Sequence, residues 1–268
     1  MDEDRMDELA GDPRFIPGIY NYCDRWCERC AFTARCLNYA MGQEIEARES
    51  RSRDSENEAF WDKLHETFET TMEGIEDQAE EMNFDFDEEE LQESIREQEE
   101  IHDAAESQPC SRIAMKYIEV VDQWFQSNAE IFDDEGNVLE PPAPADTLDT
   151  EPSSGMAGLR DCLDVIRWYQ RQIYIKLCRA ATGMIRGELE GNEYDPQDAN
   201  GSAKVALLGI ERSIAAWATL QRRFPDHEDA VLALGTLRRL LRQVEASFPN
   251  ARAFRRPGFD TDETQLTD

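Results

Sequence analysis

Basic residues are few beside the acids of this chain, and histidine is scarce. Against 59 aspartates and glutamates stand 28 lysines and arginines and 3 histidines, giving a formal net charge of −31. A potential of that sign repels phosphate backbones and anionic headgroups. It argues against nucleic acid and against a membrane surface as partners. The excess of acid reads first as solubility or salt adaptation; the sharper reading is attraction of a basic protein partner. Long hydrophobic runs are missing as well: no stretch approaches the roughly 18 consecutive apolar residues a spanning helix needs. The opening MDEDRMDELAGDPRF has no basic n-region and no apolar h-region, so it does not read as a secretory signal. The expectation is a cytoplasmic protein whose thiols stay reduced. Strand-like alternation, hairpin signals and fixed-period repeats are absent too. So are G-x-S-x-G, a P-loop, G-x-G-x-x-G and H-E-x-x-H, which leaves neither a nucleophile elbow, a phosphate-cradling loop nor a zinc-protease helix.

What is present is helical. The apolar content of 40% supports a real core. After an acidic tail over 1–13 comes a cysteine-rich segment over 14–42, opened by Pro13 and Pro17. In the first helical half, 43–132, Trp61, Leu64, His65, Phe68, Met72, Ile75 and Ala79 recur at spacings of three and four. A second helix is expected from Asp87 as N-cap with Glu90 as its capping-box partner, carrying a narrow stripe of Leu91, Ile95, Gln98, His102 and Ala105. Pro109 breaks that pattern, and Ile113, Tyr117, Val120, Val121 and Trp124 follow as a broad apolar face. Residues 133–155, rich in Pro, Asp, Ser and Gly, read as a disordered linker or long surface loop. The second half, 156–250, holds three strong helices: one apolar on most sides, one starting behind Ser202 as cap, and one with acids in its first turn and arginines towards its end. The tail 251–268 is expected to be frayed and mobile. The fold class is therefore all-α, an irregular bundle of about six helices in which the two halves pack as one domain.

The chemistry gathers in IYNYCDRWCERCAFTARCLNYAMG (Ile19–Gly42), where four of seven cysteines stand at the spacing C-x3-C-x2-C-x5-C: Cys23, Cys27, Cys30 and Cys36. An odd cysteine count in a reducing compartment disfavours a disulfide framework and favours metal-binding thiolates. A straight helix would align Cys23, Cys27 and Cys30 on one face but spread the outer two about 10 Å along the axis. One zinc holds its sulfurs at about 2.3 Å, so the segment must bend to close on a single centre. Structural zinc sites usually use two C-x2-C-like knuckles, and here there is one, Cys27–Cys30. Uneven gaps of two to five suit iron–sulfur ligation. Tyr20, Tyr22, Trp26, Phe32 and Tyr39 could shield a cluster, and Arg25, Arg29 and Arg35 would offset its charge. The expected cofactor is a [4Fe–4S] cluster, with zinc as the alternative and reactive or unmetallated thiols as the remainder.

Cys23-x3-Cys27-x2-Cys30 resembles the cluster motif of radical SAM enzymes, whose three cysteines leave one iron open. That motif belongs to a β/α barrel, and Cys36 could close the fourth position. Cys27-x2-Cys30-x-Phe32-x3-Cys36 resembles the iron–sulfur staple of RecB-like nucleases, without the strand-borne acid–lysine motif. The string YNYCDRWCERC…C is similar to an N-terminal segment of uncharacterised bacterial proteins. These likenesses cover under a tenth of the chain and imply a ligand type rather than an activity.

A second site is conceivable. Asp62-x-x-His65 and Glu99-x-x-His102 place an acid three residues before a histidine on two helices, as in di-iron or di-manganese bundles, where single carboxylates come from two further helices. Asp164 and Glu211 are candidates for these, and Glu119 is a poorer one. The plain alternative is a set of acid–base pairs: Asp164 with Arg167, and Glu211 with Lys204 or Arg212. His227 reads as part of a solvated first turn, and Cys110, Cys162 and Cys178 as buried inert thiols. Three functions thus stand side by side: an iron–sulfur protein for electron transfer, sensing or stapling, with a redox partner; a zinc-stapled adaptor for a basic protein; and a di-metal bundle oxidoreductase. The sequence fixes neither a substrate nor an oligomeric state.

Overall fold

A computed structural model describes residues 8–49, 88–128, 152–191, 194–225 and 228–260. Among these residues the fold is all-α, with no strand. The helices are α1 (Leu37–Glu49), α2 (Glu88–Glu106), α3 (Pro109–Ser127), α4 (Pro152–Glu190), α5 (Tyr194–Arg223) and α6 (Glu228–Ser247), with 3₁₀ turns at Ile19–Tyr22, Cys27–Arg29, Thr33–Arg35 and Ala251–Ala253. The helix expected over 61–79 and the N-cap at Asp87 lie outside the described residues. The chain divides into two compact units, Met1–Asn21 with Cys27–Glu99, and Tyr22–Trp26 with Glu100–Asp268. The division between halves is therefore drawn elsewhere than at the proline-rich stretch: α3 belongs with α4, α5 and α6.

In the first unit, Leu9, Phe15 and Ile19 are buried. The chain before the cysteines is tied to the chain among them, since the Ile16 N–H donates to the Arg35 carbonyl at 3.0 Å and Arg35 Nε to the Arg14 carbonyl at 3.5 Å. The described part of the acidic tail is packed, with Leu9 buried.

The second unit is a four-helix ring in which α3 packs on α4, α4 on α5, α5 on α6 and α6 back on α3, the α4–α5 interface being the longest. Apolar positions three and four apart supply the core: Ala114, Tyr117, Val121 and Trp124 from α3; Leu163, Ile166, Ile173 and Leu177 from α4; Ala203, Ile210 and Trp217 from α5; Leu237, Leu240 and Val244 from α6. Trp217 bridges the middle, edge-on to Trp124 at 5.3 Å, with its Nε1–H donating to the Tyr117 hydroxyl at 3.0 Å. Burial pushes the Tyr117 phenol up to about 12, so it stays protonated. Gly209 lets α4 and α5 close, since a Cβ there would lie 2.8 Å from the Tyr169 ring.

Several boundaries differ from the sequence reading. Pro109 opens α3 at its first turn, where a missing N–H is harmless. Helix α4 starts at Pro152, so the last four residues of the expected linker are helical, while 133–151 lie outside the described residues. It is flanked by α3 and α5 and leaves Ile175 exposed, so a helix apolar on most sides is one member of a ring. Helix α5 starts at Tyr194, eight residues before the expected cap; Ser202 is inside it and fully buried. Pro196 in the first turn does not interrupt it. Helix α6 has Glu228 and Asp229 in its first turn, but its arginines stop short of its last. The tail is packed as far as Asp260: Ala251 is fully buried, and the Arg256 guanidinium clasps Asp260 through two bonds of 3.0 Å.

Replacing Tyr117 by Phe strips the buried Trp217 N–H of its acceptor. The expected loss is about 1–3 kcal/mol, read as a lowered urea midpoint with an unchanged m-value.

Candidate metal centre

The cysteine segment is not one helix. Glycine, proline and four cysteines break it into short 3₁₀ turns, Ile19–Tyr22, Cys27–Arg29 and Thr33–Arg35, before α1 begins at Leu37. This is the bent course expected of it. All seven cysteines are reduced and no disulfide is formed among them. Cys23 falls in the five-residue stretch counted to the second unit; Cys27, Cys30 and Cys36 belong to the first. All four are half-buried. Among the described residues, no group of three or more His, Cys, Asp or Glu is gathered closely enough to hold a metal ion.

The donors nevertheless carry one feature suited to a thiophilic metal. The Phe32 N–H donates to Cys30 Sγ at 3.4 Å, and the Arg25 N–H donates to the Cys23 thiol. In both cases the amide two residues on points at the sulfur, as the protein dipoles around a thiolate ligand should. Burial pushes the Cys23 thiol up, against the Arg25 N–H and the positive charges of Arg25 and Lys176.

The stretch Tyr22–Trp26 is held on the bundle by contacts the cysteine pattern does not announce. The Asp24 carboxylate accepts the Tyr169 hydroxyl at 2.5 Å, Arg212 Nη1 at 2.6 Å and the Trp26 N–H at 3.2 Å. Arg212 also donates to the Tyr169 oxygen. Burial alone would raise Asp24, but these three donors prevail and hold its carboxyl below the usual range. Tyr169 is pushed well above an ordinary phenol by burial and by Asp24. Trp168 Nε1 donates to the Asp24 carbonyl at 3.0 Å, and its ring stacks on Trp26 with centroids 5.0 Å apart. Arg25 between them has φ 59°, a left-handed conformation for a side chain that rarely adopts it. Tyr22 donates to Asp198 at 3.0 Å, packs edge-on to Phe254 at 4.7 Å and lies against the backbone of Gly201.

Asp198 is also clasped by Arg179 through bonds of 2.7 and 3.1 Å. Beside it Lys176, only 6% exposed, faces the Cys23 thiol. Burial and Arg179 push its ammonium down, against Cys23 and Asp198. Sequence reasoning credited Arg25, Arg29 and Arg35 with the local positive charge and missed Lys176. The signal was available, since a lysine inside the apolar run QIYIKLC has to find a partner. Asp24 was passed over as a spacer between cysteines.

The second site fares differently. Asp62, His65 and His227 lie outside the described residues. His102 does not face the core as its stripe implied: of that stripe Ala105 alone is buried, Ile101 turns inward beside His102, and Leu91 and Ile95 are about half exposed. Glu99 is exposed, and His102 meets Glu106 at 3.4 Å on the surface. Glu119 binds Lys116 at 2.7 Å. Glu211 pairs with Arg252 at 2.8 Å rather than with Lys204 or Arg212, because Arg212 is taken by Asp24. Asp164 is half-buried. Cys110 and Cys178 are buried and Cys162 half-buried, and burial raises all three thiols.

No protein-family model, curated protein or solved structure matches the chain.

Two substitutions test this anchorage. Asp24→Asn keeps the shape and removes the charge that Arg212 and Tyr169 bind; the expected loss is about 2 kcal/mol, with a weakened near-ultraviolet signal from the Trp26–Trp168 stack. Gly201→Ala drives a methyl into the Tyr22 ring and should destabilise by about 1 kcal/mol after its gain in helix propensity. In a Tyr22→Ala background the same change should cost less, with only the Phe254 ring, 2.8 Å from the added Cβ, still to be displaced, a coupling readable in a double-mutant cycle.

Proposed function

We propose that the protein is a metal-binding protein whose cysteine-rich segment takes a [4Fe–4S] cluster through Cys23, Cys27, Cys30 and Cys36. The observation that carries this reading is the pair of amide-to-sulfur hydrogen bonds, at Cys23 and Cys30. Amide donors of this kind tune the thiolates of a cluster. The single C-x2-C knuckle and the uneven gaps add to it, as does positive charge from Arg25 and Lys176 around Cys23. Loading draws the four thiols together within a backbone already broken into short turns.

The proposed role is electron transfer or redox sensing. Tyr22–Trp26 is fastened by Asp24, Tyr169, Arg212 and the tryptophan stack. That stretch therefore has a fastening of its own, and the cluster is free to change its charge. A zinc at the same four sulfurs would have no electron to give.

The test is elemental and optical analysis of anaerobically purified protein beside Cys27→Ser. The expected result is a brown protein, bleached by dithionite, with roughly four iron and four sulfide per chain, both lost in the variant. A colourless protein with about one zinc per chain would replace this reading with the zinc one, and a metal-free protein would end both.

A further inference from the structure

Away from the cysteines, a cleft of about 420 Å³ opens between α3 and α6, a size that small-molecule sites commonly have. Its lining is apolar at Pro109 and Ile113 and basic at Arg112 and Lys116 on α3 and Arg239 on α6; Thr236 and Gln243 add a hydroxyl and an amide. In a chain with a net charge of −31 this convergence is unusual. Lys116 shares its charge with Glu119 at 2.7 Å. Arg112 and Arg239 belong to no side-chain ion pair among the described residues, although acids outnumber bases in the chain by 59 to 28. Three cations against one carboxylate leave two positive charges in excess in the lining of one cleft.

We propose that this cleft is a binding site for a small phosphate monoester with an apolar body. The excess of two positive charges matches the dianion. Guanidinium groups on two facing helices can each present a fork of N–H donors to the phosphate oxygens. Pro109 and Ile113 supply a surface for the apolar part, which free phosphate would leave unused. The site is independent of the cysteine segment and stands whether or not a cluster is bound there.

The probe is phenyl phosphate, titrated calorimetrically into the full-length protein, with inorganic phosphate and benzoate for comparison. Phenyl phosphate should bind saturably and more tightly than either, and its affinity should fall as salt is raised. Arg112→Gln and Arg239→Gln should each weaken it by about tenfold or more. Arg238→Gln, on the same helix but outside the cleft, should leave it unchanged. Arg112 and Arg239 are exposed, so both variants should keep the helical circular dichroism of the parent. Absence of saturable binding, cleft variants that bind as tightly as the parent, or benzoate binding as tightly as phenyl phosphate would overturn the proposal. Inorganic phosphate binding as tightly as phenyl phosphate would also overturn it, since Pro109 and Ile113 would then have no part.

Discussion

The carboxylate of Asp24 is where the stretch Tyr22–Trp26 is tied to the helices of its own unit. It takes a phenol, a guanidinium and a backbone amide at once. Each bond is charge-assisted, and together they overcome the burial that would otherwise neutralise the acid. The neighbouring features lean on this one. Arg25 can stay in a left-handed conformation because the residues on both sides of it are pinned. Trp26 can lie flat on Trp168 because Asp24 fixes the backbone that delivers it, and Tyr22 reaches Gly201 from the other side.

Much of the bundle was legible in the sequence because its signal is local. Tyr117, Val121 and Trp124 repeat at the helical period, and the structure buries all three. Boundaries were read less well, because caps are weak against packing. Ser202 looks like a helix start, yet Asp198 and Gly201 before it are needed in helical form to receive Arg179 and Tyr22. The tail to Asp260 looked frayed since its anchor, Phe254 on Tyr22, joins residues remote in sequence. For the candidate site, the cysteines announced themselves by type and spacing, but Asp24 did not. Its role depends on Tyr169 and Arg212, which periodicity alone places on helices without aiming their side chains at anything. His102 shows the opposite error: it shares a stripe with buried Ala105, yet its neighbour Ile101 is the side chain that turns inward.

The distribution of charge is as informative as its sum. With 28 bases against 59 acids, not every carboxylate can have a cation of its own, and an exposed ion pair would add little. Among the described residues, buried or clustered bases stand near Cys23, where Lys176 and Arg25 act on a thiol; at Asp24 and Asp198, where Arg212 and Arg179 fasten Tyr22–Trp26; at Asp260, clasped by Arg256; and at the α3–α6 cleft. An acidic protein of this kind uses its cations sparingly, and their positions mark the surfaces that matter.

The bond between Asp24 and Arg212 joins residues 188 apart in the chain. A contact of that span closes a long loop, and the entropy of closure opposes it until the intervening helices have collapsed. The helices between are built from contacts of short range and can form first. Docking of Tyr22–Trp26 is then the closing event of folding, the strap drawn across a bundle already made. Its release would likewise come first in unfolding, exposing Cys23 while the ring of helices is still intact.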